Sequence, residues 1–270
     1  MSKRYFGNFV TKNTPVVTSS SSTGIFTRRQ HYKQMSNGAA WPNLLPPINT
    51  SGLLVWLDAN YQASTSSWTN KVAGGTTYTP TGTFSYGTDA GNGYFTNNGG
   101  ANGWYWNTDI AATNSFTWEI WCRPNGTINL HGLNTFTTSH SHIISADNRG
   151  DSDCGAGFSV GTNGVSGNEH ANSYLSVSAQ VSYTISSTVP SHITFIYSDK
   201  TPVVYVNAVN AGGNVRTSGR SAVRASGSRI GYGDYGSFNG SYYVFRYYNR
   251  VLTQQEITDN FTNERGRFGV

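Results

Sequence analysis

The sequence predicts an all-β protein, a two-sheet antiparallel β-sandwich with a short C-terminal helix and an extended N-terminal arm. Three observations lead to this prediction. Hydrophobic residues make up 36% of the chain and charged residues 11%, which suits a folded core better than a disordered chain. The apolar positions form short runs separated by Gly, Ser, Thr and Asn, as in proteins with many short strands. One stretch near the C-terminus carries the start signals of a helix.

The segment before residue 51 is predicted to be a separate docking arm. Pro46 and Pro47 favour an extended backbone in the stretch PNLLPPINTSG, so we divide the chain into an arm (1–50) and a sandwich (51–270). The arm carries six basic and no acidic residues, whereas the sandwich carries twelve basic and thirteen acidic residues. A basic arm can meet an acidic protein surface, or nucleic acid without sequence specificity. Apolar side chains favour docking on a protein, and the candidate docking residues are Phe6, Phe9, Ile25, Phe26, Arg28, Arg29, Tyr32 and Trp41.

Strands are predicted from residue 53 onward. The run LLVWLDA is apolar almost throughout, as expected for a central strand that is covered on both sides. The run SFTWEIWCRP alternates, which predicts two distinct faces. One face holds Phe116, Trp118, Ile120 and Cys122, and the other holds Thr117, Glu119, Trp121 and Arg123. Further strands follow at the short spacing of a sandwich, at residues 142–146, 157–162, 173–179, 192–198, 202–208, 229–234 and 240–250.

The C-terminal helix is predicted from its capping signals. Thr253 and Glu256 have the spacing of a capping box, in which each side chain accepts a hydrogen bond from a main-chain N–H of the first turn. Gly266 is the predicted stop. The apolar stripe of the helix consists of Leu252, Ile257 and Phe261. Such a stripe must be buried, and we expect it to cover an open edge or flank of the sandwich.

Membrane insertion and a disulfide framework are both disfavoured by the sequence. No stretch reaches the ~18–20 apolar residues of a membrane span, and the N-terminal residues lack the apolar centre of a signal peptide. We therefore expect no membrane partner and no export by the general secretory route. Cys122 and Cys154 are too few for a disulfide framework, and Cys122 lies in a predicted strand, which favours a buried free thiol.

Several segments together resemble one known family. GLLVWLDA, FTWEIWCRP, HIISADNRGDSDCGAGFSV, HITFIYSDKTPVVYVNAVN and SYYVFRYYNRVLTQQEITDNF occur in the order found in the laminin-G-like, concanavalin A-like lectin/glucanase jelly roll. The likeness covers residues 52–270. The closing element, with YNR, LT, EI, NF and RFG in order, is similar to the version found in virion proteins of tailed phages.

The resemblance implies a jelly-roll domain in a phage virion structural protein. Such a protein would be made in the host cytoplasm and displayed in several copies on the capsid or tail, where the arm binds other virion proteins and the sandwich binds host-surface carbohydrate. A decoration protein that binds no sugar is the alternative. One position departs from the family: Ala208 follows Asn207 where relatives often have Asn-Gly, so we expect a longer turn or another turn type.

Carbohydrate binding is also indicated by three segments that are rich in aromatic and polar residues. Sugar rings stack on aromatic faces, and their hydroxyls form directed hydrogen bonds with amide and hydroxyl groups. The candidate ligand-binding residues are Trp104, Tyr105, Trp106, Asn168, His170, Tyr232 and Tyr235. Because Trp104 and Trp106 share strand parity, the alternative for at least one of them is a place in the core.

Catalysis and metal binding have weaker support in the sequence. A retaining glycosidase needs two carboxylates about 5 Å apart, and the predicted same-face neighbours of Glu119 include no second acid. We therefore expect a protein that is not an enzyme, with glycan degradation as a remote alternative. Calcium is the one candidate cofactor, and an ordinary polar turn is the alternative for its loop. The candidate calcium ligands are Asp147, Asp151 and Asp153.

Overall fold

The structure of this protein, a computed structural model, describes most of the chain beyond residue 46. The described residues are 16–17, 22–23, 47–61, 65–89, 91–105, 112–136, 140–172, 174–226, 229–233 and 235–270. The chain divides into two compact units, Met1–Pro47 and Ile48–Val270. In the first unit, β1 (Val16–Val17) pairs with β2 (Ser22–Thr23). The predicted docking residues all lie outside the described residues, namely Phe6, Phe9, Ile25, Phe26, Arg28, Arg29, Tyr32 and Trp41.

The second unit consists of strands and one α-helix. Its strands in chain order are β3 (Leu53–Asp58), β4 (Thr79–Thr81), β5 (Ser85–Asp89), β6 (Asn92–Asn98), β7 (Gly103–Tyr105), β8 (Phe116–Pro124), β9 (His142–Ile144), β10 (Cys154–Gly161), β11 (Gly164–Ala171), β12 (Tyr174–Ser182), β13 (Ser191–Ser198), β14 (Thr201–Val206), β15 (Val209–Asn210), β16 (Asn214–Val215), β17 (Val223–Ala225), β18 (Arg229–Ile230), β19 (Tyr232–Gly233), β20 (Gly236–Ser237) and β21 (Asn239–Tyr248). A 3₁₀ helix, Ala59–Tyr61, follows β3, and helix α1 (Gln254–Phe268) follows β21. In the described part of the chain, no helix has the length and apolar character of a membrane span.

All strands of this unit except β19 and β20, which pair with each other, form two sheets that stack as a sandwich. The nine-stranded sheet has the order β16-β12-β11-β10-β9-β18-β7-β4, with β17 beside β10. The eight-stranded sheet has the order β15-β14-β13-β8-β21-β6-β5, with β3 beside β21. Neighbouring strands are antiparallel except for β10 and β17. The predicted two-sheet antiparallel sandwich with a C-terminal helix is confirmed.

Aromatic side chains fill the core between the two sheets. Trp118 of the eight-stranded sheet stacks on Phe158 of the other sheet at 5.7 Å between ring centroids, and Phe158 stacks on Phe195 at 5.0 Å. The predicted core face of β8 is confirmed, because Phe116, Trp118, Ile120 and Cys122 all lie in this core. Cys122 and Cys154 are both buried free thiols, and burial raises the pKa of the Cys154 thiol to about 12. The predicted free thiol at Cys122 is therefore confirmed.

Helix α1 begins as the sequence predicts but ends later. The Thr253 hydroxyl accepts from the Glu256 N–H at 3.2 Å, and the Thr253 N–H donates to the Glu256 carboxylate at 2.8 Å, which completes the capping box. The predicted stop at Gly266 is wrong, because the helix continues to Phe268 and Gly269 caps it with a φ of 72°. The Phe268 ring stacks on Trp121 at 4.2 Å and holds the last turn in place.

The helix covers a face of the eight-stranded sheet, not its edge. Leu252 and Ile257 are buried against Ile196 and Tyr248, so the predicted stripe is buried. Phe261 completes that stripe by stacking on Trp121 at 5.7 Å. Because β8 and β21, which carry Trp121 and Tyr248, are interior strands of the sheet, the helix covers a flank of the sandwich, the second of the two predicted positions, and not an open edge.

A buried ion network joins α1 to the same sheet. The Glu119 carboxylate is 1% exposed, accepts two hydrogen bonds from the Asn260 amide at 2.9 and 3.1 Å, and lies 3.5 Å from both His192 and Arg246. Arg246 forms a second ion pair with Glu264 of the helix. Burial alone would raise the pKa of Glu119, but His192, Arg246 and Asn260 outweigh it and hold the pKa below its usual value. Glu119 is thus a paired carboxylate beneath the helix.

The turn between β14 and β15 differs from the prediction. Val206 pairs with Val209, so the turn has two residues, Asn207 with a φ of 50° and Ala208 with a φ of 63°. Both are left-handed, as in a type I′ turn, and the prediction of a longer turn or another type is wrong. Two hydrogen bonds hold Ala208 in this strained conformation. The Gln254 side chain donates to the Ala208 carbonyl at 2.9 Å, and the His192 N–H donates to the side chain of the neighbouring Asn207 at 2.9 Å.

Replacing Ala208 with glycine should stabilise the protein. A left-handed conformation costs a non-glycine residue about 1–2 kcal/mol, and a glycine recovers this while losing some conformational entropy on folding. We expect Ala208→Gly to raise the free energy of unfolding by about 0.5–1 kcal/mol in urea denaturation. The control is Ala211→Gly, a nearby position without positive φ, which should be neutral or destabilising. A decrease in stability for Ala208→Gly would show that the turn is not strained.

The capping carboxylate should make stability depend on acid pH. Arg250 binds Glu256 with both terminal nitrogens, at 2.7 and 2.9 Å, and lowers the pKa of Glu256 from 4.5 to about 2. Because the folded pKa is the lower one, this stabilisation is present above pH 4.5 and is lost as the pH falls to about 2. We expect Glu256→Gln to flatten the loss of stability over that range in denaturation at a series of pH values. Asp259→Asn, on the same helix and without an ion pair among the described residues, should keep the wild-type profile.

Candidate functional site

The outer face of the nine-stranded sheet carries small and polar side chains at its centre. Alternation along β10 and β11 directs Phe158, Val160 and Val165 into the core. The residues between them pair across the strands on the outer face, as Ser159 with Ser166, Gly157 with Asn168 and Gly155 with His170. This face therefore has room for another layer of chain above it.

The β19–β20 hairpin supplies that layer. Tyr232 packs over Gly103 of β7, where a Cβ would lie 2.6 Å from the Tyr232 Cβ. Gly236 has a φ of 131°, and a Cβ there would collide with the His140 carbonyl. The Tyr235 ring meets His170 edge-on at 5.5 Å, and its carbonyl accepts from the His140 N–H at 2.9 Å. The two glycines thus allow the hairpin to lie directly on the sheet.

A layer of buried imidazoles supports the hairpin from below. His140 and His142 stack at 4.8 Å, the Asn168 amide lies 3.4 Å from His140 Nδ1, and His170 Nδ1 lies 3.1 Å from the Ala146 carbonyl. Burial, and then the neighbouring His140, hold the pKa of His142 well below its usual value, so this ring stays neutral. Asn168 and His170, two predicted ligand residues, are buried here and position the hairpin.

Two half-buried tyrosines and an arginine form what we call the tyrosine surface: Tyr105, Tyr232 and Arg229. Tyr105 and Tyr232 lie 6.4 Å apart between ring centroids, and the Arg229 guanidinium lies 5.3 Å from the Tyr105 ring. Arg229 pairs with Tyr105 across β18 and β7, which places both on the outer face. The structure therefore brings together Tyr105 and Tyr232 from two distant segments of the sequence, whereas the third predicted tyrosine, Tyr235, packs on His170 of β11.

The two predicted tryptophans do not join this surface. Trp104 is completely buried in the core, where it stacks on Phe84 at 4.7 Å, so its ring offers no face to a ligand. Trp106 lies outside the described residues. Arg229 was not among the predicted residues, because no local signal in the sequence distinguishes this arginine from a solvated one.

A polar cleft of about 310 Å³ lies beside the second strand of the hairpin. Its hydrogen-bonding side chains are Thr127, His140, Ser141, Ser237 and Asn239. The hairpin thus has aromatic rings on one strand and a cleft of hydroxyl and amide groups along the other. Aromatic stacking faces beside directed hydrogen-bonding groups are the two requirements of a carbohydrate site.

The predicted calcium ligands each have another partner. Asp147 lies 3.5 Å from Arg149, Asp153 lies 2.6 Å from Arg224, and the Asp151 carboxylate accepts from the Asn172 amide. Among the described residues, no group of three or more His, Cys, Asp or Glu side chains is arranged to hold a metal ion. A calcium site at these aspartates stays a prediction, and the contacts are those of the polar turn given as its alternative.

Comparison with known proteins identifies a family and a set of similar folds. A family model described as the concanavalin A-like lectin/glucanases superfamily matches residues 95–258. A search of the curated proteins found no match. Several solved structures are similar to this chain at identities that show the fold alone.

Three of these structures are a domain of an arabinanase, a sialidase and the binding domain of a mosquitocidal protein. Domain 4 of a GH43 extracellular arabinanase from Geobacillus stearothermophilus, in complex with arabinotriose, is 16% identical with a TM-score of 0.54, and the match covers 79% of this chain and 100% of that domain. Trypanosoma rangeli sialidase is 19% identical with a TM-score of 0.56, covering 87% of this chain and 37% of that one. The binding domain of Paraclostridial Mosquitocidal Protein 1 is 13% identical with a TM-score of 0.52, and the match covers 78% of this chain and 52% of that one.

The prediction that the protein is not an enzyme is wrong. An arabinanase and a sialidase contain this fold, so the fold gives no ground for excluding glycoside hydrolysis. The chain spans about a third of the sialidase chain, 37%, and the whole of the arabinanase domain. The lectin/glucanase-like sandwich itself is consistent with carbohydrate binding.

Proposed function

This chain belongs to the concanavalin A-like lectin/glucanases superfamily, and we propose on that premise that it binds carbohydrate on the outer face of its nine-stranded sheet. The observation that carries the proposal is the meeting of Tyr105, Tyr232 and Arg229 on one side of a hairpin whose other strand lines a polar cleft. The arabinanase domain of the same fold, in complex with arabinotriose, supports this class of ligand.

The tyrosine surface suits a sugar ring for two physical reasons. The apolar face of a pyranose or furanose can stack on a half-buried tyrosine ring. The surface is also rigid, because Tyr105 lies in a strand and Tyr232 is fixed over Gly103. A rigid aromatic surface loses little side-chain entropy when a ligand binds. The polar cleft would then take the hydroxyls of the next sugar residue.

Removing either ring should weaken glycan binding. The isolated protein is first screened on an array of host-surface and plant oligosaccharides that includes arabinotriose, and the strongest ligand is then titrated by calorimetry. We expect Tyr105→Ala and Tyr232→Ala each to raise Kd about tenfold, which corresponds to about 1.4 kcal/mol. The control is Tyr61→Ala, which removes a tyrosine that is 67% exposed and follows β3 of the other sheet. Unchanged affinity in both variants would place the sugar elsewhere. If no oligosaccharide on the array binds, the result would favour the alternative of a decoration protein without sugar binding.

Hydrolysis of the bound glycan is a second candidate function. It is supported by the glycoside hydrolases among the structures of this fold. The same oligosaccharides should be incubated with the protein, and reducing ends measured over time. Released ends in the wild-type protein would assign an enzyme, and bound but intact glycan would assign a lectin.

The setting of this function is proposed to be the surface of a phage virion. The closing element at residues 248–269 is similar to that of tailed-phage virion proteins, which supports a protein made in the host cytoplasm and displayed in several copies. The arm is proposed to bind a capsid or tail protein, so that many copies give avidity to a weak sugar site. A decoration protein without sugar binding is the alternative.

Deleting the arm should separate folding from assembly. Residues 48–270 form a compact unit, and Asn49 contacts Glu256 and Asn260 of α1, so the deletion should stop at residue 46. We expect the truncated protein to melt cooperatively but to be absent from purified particles after complementation in trans. The full-length protein is the positive control. Normal incorporation of the truncated protein would contradict docking through the arm.

A further inference from the structure

A second cleft of about 190 Å³ lies at the edge of the nine-stranded sheet, away from the tyrosine surface. It is formed by β11, β12, the segment around residue 135 and the segment after β16. We call it the arginine cleft, and its polar and aromatic side chains are Asn134, Phe136, Glu169, Ser176, Arg216 and Arg220. Because drug-sized ligands need ~300–1,000 Å³, this volume suits a single ring.

The base of the arginine cleft is a neutralised carboxylate. Glu169 is 3% exposed and accepts from the Tyr197 hydroxyl at 3.1 Å, the Ser218 hydroxyl at 2.9 Å and Arg216 at 2.8 Å. Arg216 is fixed further by the Val177 carbonyl, to which it donates at 3.1 Å. The charges of Glu169 and Arg216 therefore cancel inside the protein, and neither attracts a ligand strongly.

Arg220 is the charge that the cleft leaves uncompensated. None of the ion pairs of the described residues includes Arg220, and its one side-chain hydrogen bond goes from Nη1 to the Asp151 carbonyl. Its main chain is fixed on both sides, since its N–H donates to Ser218 at 3.3 Å and its carbonyl accepts from Lys200 at 3.1 Å. The guanidinium is therefore held at the cleft with Nε and Nη2 available to an anion.

Phe136 provides an exposed apolar wall beside this charge. The ring is 63% exposed, which is unusual for a phenylalanine on a folded domain. Its main chain forms a bridge with Ser176, and the preceding Asn134 N–H donates to the Val177 carbonyl at 3.0 Å, so the segment is fixed on β12. The Ser176 hydroxyl accepts from Arg216 at 3.1 Å and keeps its own proton for another acceptor.

We infer that the arginine cleft binds an acidic sugar residue, with the ligand carboxylate on Arg220, the apolar face of the ring on Phe136 and hydroxyls on Asn134 and Ser176. This goes beyond the proposed function, because it names a second surface and a charged class of ligand. A carboxylate matches the planar edge of one guanidinium and carries a single charge. A phosphate dianion fits less well, because only one positive charge is uncompensated and Glu169 lies beneath it.

The test compares an acidic sugar with its neutral counterpart. Methyl β-D-glucuronide and methyl β-D-glucoside differ at one carbon, where a carboxylate replaces a hydroxymethyl group. We expect calorimetry at low salt to give at least tenfold tighter binding of the glucuronide to the wild-type protein. Saturation-transfer NMR should show contact between the ring protons and the protein, and this contact should weaken in Phe136→Ala.

Variants at the arginine assign the preference to this cleft. We expect Arg220→Gln to abolish the preference for glucuronide and Arg220→Lys to retain part of it. The matched control is Arg224→Gln, which removes an exposed arginine that pairs with Asp153. Thermal melting checks that each variant is folded, and Phe136→Ala tests the same cleft through an exposed side chain if Arg220→Gln melts early.

Three outcomes would overturn the inference. The first is equal affinity for the glucuronide and the glucoside in the wild-type protein. The second is competition by inorganic phosphate as strong as that by glucuronate, which would make the cleft a general anion site. The third is loss of glucuronide binding in a Tyr105→Ala/Tyr232→Ala double variant, which would place the ligand on the tyrosine surface. Retained glucuronide binding in that variant, with loss of neutral glycans, would support both sites separately.

Discussion

The position of α1 depends on the buried ion network around Glu119. This position in turn decides which outer face of the sandwich the helix covers. Arg246 and Glu119 lie directly opposite each other on β21 and β8, in the interior of a sheet where neither charge could be buried alone. Glu264 and Asn260 complete the network from the helix. Removing one partner of such a network typically costs about 3–5 kcal/mol, whereas an apolar replacement of the whole network can be neutral. The network therefore fixes where the helix lies more than it adds to stability.

Because the helix occupies the outer face of the eight-stranded sheet, the carbohydrate surface proposed above lies on the outer face of the nine-stranded sheet. That face is covered differently. A short hairpin lies on it, seated by Gly236 and supported by the stacked imidazoles of His140 and His142, of which His142 is neutral. No helix is needed there, since the face beneath is small and polar and has little apolar area to hide from water. The hairpin leaves aromatic rings at its surface, which is the property that a sugar site requires.

Sequence signals predicted the features of the fold that depend on interactions between residues close together in the chain. The alternation in β8 and the spacing of Thr253 and Glu256 were sufficient for the core face and the helix start, because both depend on neighbours within a few residues. The end of α1 and the left-handed Ala208 could not be predicted, since Trp121, His192 and Gln254 impose them from distant segments. The strand parity of Trp104 was visible in the sequence, but only the pairing of β7 shows that this ring faces the core. The unpaired charge of Arg220 is likewise a fact of tertiary structure.

Glu119 and Glu169 show how one arrangement serves two purposes. Each is a glutamate on an interior strand, nearly inaccessible to water, and each is neutralised by an arginine from a distant segment. Over Glu119, the helix closes the space with Asn260 and apolar rings, so the balanced charges hold two elements together. Over Glu169, none of the described residues forms a helix that closes the space, and a further arginine lies at the opening. Glu169 at the base of this open cleft already forms an ion pair with Arg216. Its carboxylate therefore does not neutralise the second guanidinium, that of Arg220. The charge of Arg220 is then available to a ligand, and this is why the cleft should distinguish an acidic sugar from a neutral one.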